Sequence, residues 1–258
     1  MPVTKEFYKQ LILAVVGVVA ILVLFSFERI PQDANYHSFA DTEVVAGITN
    51  FRNELSNIPI IAVGIYSLWR VPRISERECM AAYIVLSTGI GLIAFGSAYY
   101  HYAPSNETLL WDRLPMTIAF MALFSMLLGE RVIIAHKTIS LWFLIGCGIA
   151  AACYWSWTES NGREDLRPYA VVQFLPILLM PLIMAMFTKK YLSNHLLLQA
   201  FAWYLVAKAL EQYDHQAQSL LGIIGGHPLK HVAAAMAALC IIRSVPVSAP
   251  NKSLKVAP

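Results

Sequence analysis

Eight long apolar runs limit how this chain can fold. Each is close to the length that a helix needs to cross about 30 Å of hydrocarbon. They lie at 10–27, 54–71, 80–102, 113–134, 139–157, 168–187, 195–214 and 224–243. Backbone inside lipid has to satisfy its polar groups within the segment, so runs of this length predict helices. A content of 58% hydrophobic and 14% charged residues agrees, because soluble domains carry more charge. The sequence predicts an all-α membrane protein with one integral-membrane domain over residues 1–258.

The distribution of Lys and Arg predicts the orientation, because positive loops stay on the cytoplasmic side. With the N-terminus inside, the inner segments hold twelve basic residues: Lys5, Lys9, Arg70, Arg73, Arg77, Arg131, Lys137, Lys189, Lys190, Arg243, Lys252 and Lys255. The outer segments hold six: Arg29, Arg52, Arg113, Arg163, Arg167 and Lys230. We therefore expect a multi-pass protein of the cell inner membrane with both termini cytoplasmic. This asymmetry accounts for the net charge of +3. The charge therefore gives no indication of a nucleic-acid binding site.

The first apolar run predicts a retained membrane anchor. Lys5 and Lys9 precede it, as in a secretory signal, but no small-x-small cleavage site follows. The chain continues Ser26-Phe27-Glu28-Arg29 instead.

Five polar residues at predicted helix ends fall on the outer side of the membrane. His101 ends the third helix, Asp112 begins the fourth, and His227 and His231 begin the eighth. Ser97 and His101 are four residues apart, as are His227 and His231, so each pair shares one helix face. Three histidines leave one coordination position open, which is the minimum for a catalytic zinc centre.

Each of these residues also has a simpler interpretation. A single histidine at a helix end is more often an interfacial or hydrogen-bonded residue than a ligand. Ser97 follows Gly96, as in a small-residue helix contact, and Asp112 suits the N-cap of the fourth helix. The sequence His227-Pro228-Leu229-Lys230-His231 lacks the Glu that serves as base in soluble zincins.

A second polar stripe is predicted on the seventh helix. Lys208, Glu211 and His215 recur at helical spacing, and Asp214 adjoins them. A neutralised intramembrane ion pair is the simplest account, and orientation of a metal ligand is the alternative. A retinal-type Schiff base at Lys208 is a third reading, but it leaves the three outer histidines unexplained.

Four motifs together resemble the alkaline ceramidase family, which belongs to the wider CREST group of membrane hydrolases. They are Ser-x3-His within Gly96–His101, the segments Trp111–Met116 and Gly226–His231, and Asn-x-x-Ser-Asn at Asn53–Asn57. The resemblance implies a seven-transmembrane-helix core over 53–243, with 10–27 as one extra N-terminal transmembrane helix.

The resemblance also implies a set of site residues. Zinc would be held by His101, His227 and His231, with Asp112 and Ser97 beside it as catalytic residues. Asp112 would handle the proton of the attacking water, and Ser97 would stabilise the developing oxyanion.

The resemblance is incomplete at the calcium site. Eukaryotic alkaline ceramidases carry an acidic calcium site before the first core helix, where this chain has Asn50. Asp41 and Glu43 are nearby, so an ion is conceivable there. A loop of hydrogen-bonded polar residues around Tyr36–Asp41 is the simpler expectation.

Three functions follow from these observations. The first is zinc-dependent hydrolysis of the N-acyl bond in ceramide or a related lipid amide, with membrane lipids around the protein. The second is a receptor-like or structural membrane protein that uses a metal to brace its helices. The third is an ion or proton transporter working through Asp112, Glu211 and Asp214. The acyl chain, the head group and the oligomeric state are left open by the sequence.

Overall fold

A computed structural model of the chain describes residues 5–133 and 136–248. Within these ranges the chain forms ten α-helices and no β-strands. The helices are α1 (Lys5–Ser26), α2 (Phe51–Leu55), α3 (Ile58–Arg70), α4 (Met80–Tyr102), α5 (Asn106–Arg131), α6 (Lys137–Ser160), α7 (Arg167–Met186), α8 (Asn194–Gln212), α9 (Asp214–Leu221) and α10 (Gly226–Ser244). The prediction of an all-α fold is confirmed for the described residues.

Helices occur at all eight predicted apolar runs. Within the described residues, five helical segments are long and apolar enough to cross a membrane: Lys5–Ser26, Arg77–Tyr102, Asn106–Arg131, Lys137–Ser160 and Arg167–Met186. The chain is therefore a multi-pass membrane protein. Membrane crossing by α3, α8 and α10 stays a prediction. The predicted end of the fourth run, at residue 134, lies outside the described residues.

The predicted helix at 54–71 is wrong near its start. The chain forms the short α2, turns at Ser56 and Asn57, and resumes as α3. Pro59 explains the break, because it has no N–H to donate to the carbonyl of Leu55 and its ring clashes with that carbonyl. The interruption has a use, because it places the Ser56 side chain against α10.

The predicted helix at 195–214 is also interrupted. Helix α8 ends at Gln212, and Tyr213 separates it from α9. Lys208 and Glu211 therefore share a helix, whereas His215 lies on α9 and its Nε2 is 2.9 Å from the carbonyl oxygen of Ser38. The single three-residue stripe predicted from spacing is wrong, because the helix ends before His215.

Two glycines bring the site helices into close contact. A Cβ atom at Gly96 on α4 would overlap with the carbonyl oxygen of Trp111 on α5. A Cβ atom at Gly226 would overlap with the carbonyl oxygen of Leu210, so α10 can lie directly on α8. Any larger residue would force these helix pairs apart at the end of the bundle that carries the polar cluster.

A buried ion pair anchors the connection between α7 and α8 at the opposite end of the bundle. Oε1 of Glu130 accepts hydrogen bonds from the backbone N–H groups of Lys190, Tyr191 and Leu192 at 2.7–2.9 Å. Its Oε2 accepts one from Nε of Arg131 at 2.8 Å. Because its partners satisfy it, this buried carboxylate fixes the start of α8 against α5.

Helix α1 lies at the edge of the bundle and packs along α7. Its buried residues are Leu13 and Gly17, and Gly17 approaches the Leu179 side chain. The remaining faces of α1 expose large apolar side chains, as expected for a helix surrounded by lipid.

Candidate active site

Three buried imidazoles meet at one end of the bundle. His101 comes from the last turn of α4, and His227 and His231 come from the first turns of α10. Each offers one ligand nitrogen, and these nitrogens all lie within 4.8 Å of one another. In the described part of the chain, no other cluster of three or more His, Cys, Asp or Glu side chains has this geometry.

The spacing of the imidazoles fits a tetrahedral metal ion. Nε2 of His227 and Nε2 of His101 are 3.2 Å apart, and the three ring centroids are 4.7–5.1 Å apart. Zinc with Zn–N bonds of about 2.0–2.1 Å holds its nitrogen ligands roughly 3.3 Å apart. Neutral imidazole nitrogens are also the donor type that zinc prefers.

Ser56 sets the tautomer of His231. Its hydroxyl donates to the carbonyl oxygen of Asn53 at 2.7 Å, so its lone pair accepts from Nδ1–H of His231 at 2.7 Å. The proton on Nδ1 leaves the lone pair of Nε2 free to face the other two histidines. Such hydrogen bonds to the far nitrogen orient a metal-binding histidine.

Asp214 fixes the start of α10. Its buried carboxylate accepts from the backbone N–H of His227 at 2.8 Å through Oδ1, and from that of Ala40 at 2.9 Å through Oδ2. One side chain therefore joins the helix that carries two histidines to the loop before α2. The sequence offered only the proximity of Asp214 to the polar stripe as a sign of this role.

The loop before α2 closes over the histidines. The Phe39 ring packs edge-on against His101 and His227, with centroids 4.7 Å and 4.6 Å apart. Nδ2 of Asn50 donates to the carbonyl oxygen of His101 at 2.8 Å. These contacts cover the histidine cluster at the end of the bundle and bury it from that side.

The acidic residues of this loop are engaged in hydrogen bonds and an ion pair. Asp41 is fully buried and accepts from the backbone N–H groups of Glu43 and Asn53 at 3.2 Å and 2.9 Å. The Glu43 carboxylate lies 3.1 Å from the Arg52 guanidinium. This arrangement supports the expectation of a hydrogen-bonded polar loop.

Asp112 lies deeper in its helix than the sequence predicted. Helix α5 begins at Asn106, and Ser105 is its N-cap in a reciprocal capping box with Thr108. The reading of Asp112 as an N-cap is therefore wrong, because Ser105 already satisfies the helix start. Asp112 instead faces a cavity that Ser97 and His231 also line.

Ser97 is buried beside the histidines, and its Oγ lies 3.5 Å from Nε2 of His231. The five residues singled out from the sequence, namely Ser97, His101, Asp112, His227 and His231, thus share one end of the bundle. Ser97, Asp112 and His231 line the same cavity, and Ser97 is the one of the two non-histidine residues that lies against His231.

A cavity of about 460 Å³ runs from these residues into the bundle. Helix α7 packs on α1, α5 and α6, whereas α8 packs on α10, so the cavity separates α7 from α8. Its inner part is apolar, with a lining that includes Leu86, Ile90, Leu123, Met180, Leu197 and Ile241. A long hydrocarbon chain matches this lining.

Charged residues surround the outer part of the cavity. Lys208, Glu211 and Lys230 line it together with Asp112 and Arg113. Glu211 contacts Lys208 through Oε2, and its Oε1 lies 3.2 Å from Nζ of Lys230. Sequence spacing identified the Lys208–Glu211 pair but missed Lys230, which is distant in sequence.

Fold and site together define a multi-pass, all-α membrane protein with a buried three-histidine centre that opens into an apolar cavity. The Ceramidase family model matches residues 40–243, which is most of the chain. The protein therefore belongs to the ceramidase family, whose members are hydrolases that act on lipid amide bonds. No curated protein matches the chain.

Proposed function

We propose that this protein is a zinc-dependent intramembrane hydrolase that cleaves the N-acyl amide bond of ceramide or a related lipid amide. One observation carries the proposal: three buried imidazole nitrogens within 4.8 Å of one another lie beside a cavity that Ser97 and Asp112 also line. The proposed metal ligands, proton acceptor and hydroxyl donor would thus lie around a cavity that a lipid chain can enter.

His101, His227 and His231 would hold the ion, with Ser56 and Asp214 keeping two of them in place. When bound, zinc supplies a Lewis acid that polarises the amide carbonyl and makes water reactive at neutral pH. These three histidines would leave one coordination position of the ion for water or substrate.

Asp112 and Ser97 would divide the remaining chemistry. A carboxylate of Asp112 takes a proton from the attacking water and returns it to the amide nitrogen as the C–N bond breaks. The Oγ–H of Ser97 donates a hydrogen bond to the carbonyl oxygen as negative charge develops there. Both side chains are buried in the cavity wall, where such interactions are stronger than in water.

The apolar cavity would hold the acyl chain. Its inner lining offers a long chain surroundings similar to the lipid it leaves, so little free energy is lost on entry. The amide bond then sits at the polar end, beside His231 and Asp112. The products, a fatty acid and an amine, can leave in the same way.

Two observations disfavour the alternatives. A structural metal site is normally closed by four protein ligands, and in the described residues the cluster contains only the three histidines. A transporter needs a polar path across the bilayer, whereas the inner part of this cavity is lined by aliphatic side chains.

Orientation in the membrane follows from the Lys and Arg distribution as part of the same proposal. Both termini would lie in the cytoplasm, and the histidine cluster would face the outer, periplasmic side of an inner membrane.

The test is hydrolysis by the purified protein in detergent. Fatty acid release is measured from a panel of N-acyl lipids that includes ceramide, before and after removal of metal by a chelator. We expect hydrolysis of at least one amide, its loss on chelation and its return with zinc. If the fully zinc-loaded protein cleaves no amide in the panel, the hypothesis of a receptor-like protein is favoured over that of a hydrolase.

A further inference from the structure

The charges that line the outer part of the cavity do not cancel. Arg113, Lys208 and Lys230 are cationic, and Asp112 and Glu211 are acidic. The wall therefore carries one net positive charge, and a divalent ion on the histidines would add to it. The side chains of Arg113 and Lys230 are mostly buried, and buried charge is costly unless an opposite charge pairs with it.

Glu211 pairs with only some of the N–H donors of Lys208 and Lys230. Its two carboxylate oxygens each contact one ammonium group, Lys208 through Oε2 and Lys230 through Oε1. An ammonium group has three N–H donors, so each lysine keeps donors available. Glu211 thereby holds two cationic groups side by side at the cavity wall.

Arg113 has an unpaired donor in the same wall. Nη2 of this buried side chain donates to Oε1 of Gln32 at 2.6 Å, a neutral partner. Its guanidinium stacks over the rings of Trp155 and Tyr169, 4.0 Å and 4.6 Å from their centroids. Nη1 is buried and has no hydrogen-bond partner among the described residues. Arg113 lines the cavity, and a buried guanidinium donor without an acceptor favours a ligand that supplies one.

Tyr36 adds a neutral donor to the group. The pKa of its hydroxyl is raised well above the usual value by burial and by the nearby carboxylate of Glu211, so the hydroxyl stays protonated. Its ring faces the Arg113 guanidinium at 5.7 Å, and it lines the same cavity.

We infer that the outer end of the cavity is a subsite for an anionic head group, formed by Arg113, Lys208, Lys230 and Tyr36. The substrates it fits are lipid amides with a carboxylate, phosphate or sulfonate on the amine side of the scissile bond. The inference rests on the proposed function, because the amide bond must lie between this subsite and the acyl-chain part of the cavity. Guanidinium and ammonium groups form strong, charge-assisted hydrogen bonds to such anions.

The experiment uses three amides with the same acyl chain. N-oleoylglycine carries a carboxylate, N-oleoylethanolamine a hydroxyl, and N-oleoylethylenediamine an ammonium group. We expect kcat/KM of the zinc-loaded protein to be at least about tenfold higher for the carboxylate than for the hydroxyl. The ammonium compound should be the poorest substrate, because the wall repels it.

Variants at Lys208 connect that preference to the subsite. Lys208→Gln should lower the ratio of kcat/KM for the carboxylate over the hydroxyl compound by about tenfold, whereas Lys208→Arg should keep it. Lys189→Gln is the matched control, because Lys189 is exposed in the connection between α7 and α8 and far from the cavity lining. An unchanged ratio in Lys208→Gln would overturn the inference.

A binding measurement separates this inference from the proposed chemistry. N-oleoylglycine and N-oleoylethanolamine are titrated into Asp112→Asn and into Asp112→Asn/Lys208→Gln, and the ratio of their Kd values is compared. Tighter binding of the anion that depends on Lys208 supports the subsite even where no amide is cleaved. Equal binding of the two lipids contradicts the subsite even where hydrolysis is observed.

Discussion

The hydroxyl oxygen of Ser56 lies 2.7 Å from Nδ1 of His231, although the two residues are separated by most of the chain. Because Ser56 donates its own proton to the carbonyl of Asn53, it accepts from the imidazole and leaves Nε2 of His231 without a proton. The turn between α2 and α3 therefore has a chemical role. It fixes which nitrogen of His231 faces the centre.

Removal of this hydroxyl should weaken the metal site without abolishing it. In Ser56→Ala we expect zinc affinity to fall by about 10–100-fold, the usual effect of losing a hydrogen bond behind a ligand. The measurement is a zinc titration against a competing chelator. Ser75→Ala is the control, since Ser75 is exposed and, among the described residues, its hydroxyl donates to the carbonyl oxygen of Pro246. Equal affinity in wild type and Ser56→Ala would exclude the tautomer argument.

Loss of a metal ligand should reduce zinc binding more than loss of the hydrogen bond that orients a ligand. We expect about one zinc per wild-type chain and a near absence of zinc in purified His227→Ala, with folding retained. His195→Ala provides a matched control, because His195 is an exposed histidine at the start of α8. Elemental analysis decides the matter, and equal zinc in wild type and His227→Ala would refute the ligand assignment.

The carboxylate of Asp214 should contribute to both stability and metal binding. An asparagine has one acceptor oxygen, so Asp214→Asn leaves the N–H of either His227 or Ala40 facing an amide N–H group. We expect a loss of about 1–3 kcal/mol in the free energy of unfolding, together with weaker zinc binding. Thermal unfolding in detergent, with and without added zinc, measures both effects.

Asp33→Asn is the comparison for Asp214→Asn. Asp33 accepts a hydrogen bond from the backbone N–H of Asn35 at the exposed start of the short 3₁₀ helix Ala34–His37, where asparagine caps as well as aspartate. Asp33→Asn should therefore leave the unfolding temperature nearly unchanged. If the two variants unfold alike, the bridging role of Asp214 is wrong.

The sequence predicted the helices and helix faces that depend on local residue patterns. Apolar runs located the eight long helices, and the four-residue spacing placed His227 and His231 on one face because both sit on a single uninterrupted helix. Contacts between distant segments carry no such periodic signal. Ser56, Asp214 and Lys230 each act on an element far away in the chain or across a helix end, so spacing could not assign their roles.

Some boundary errors had visible causes in the sequence. Pro59 and the polar pair Ser56-Asn57 mark the break near the start of the apolar run at 54–71. The start of α5 was placed too late, since Ser105 and Thr108 form a polar first turn that precedes the apolar run. The earlier start of α5 excludes the alternative interpretation of Asp112 as a helix cap, and its side chain lies in the cavity wall.

The predicted orientation can be tested by labelling at the two ends of the bundle. Cysteines at Arg163, in the loop after α6, and at Ser75, in the turn after α3, are both in exposed positions. In intact cells, a membrane-impermeant maleimide should label Arg163→Cys only, because the basic loops stay inside. The native cysteines give the background. Labelling of Ser75→Cys alone would place the histidine cluster at the cytoplasmic face.

Replacement of the proposed proton carrier separates catalysis from metal bracing. Asp112→Asn keeps the shape of the side chain but removes its basicity, so lipid amide hydrolysis should fall by roughly 10²–10⁴-fold, the usual contribution of a positioned acid–base group. Zinc content should stay near one per chain, because Asp112 is not among the clustered ligands. Asp33→Asn again controls for the loss of a carboxylate. Unchanged turnover would remove Asp112 from the mechanism, and loss of zinc with turnover would make it a ligand instead.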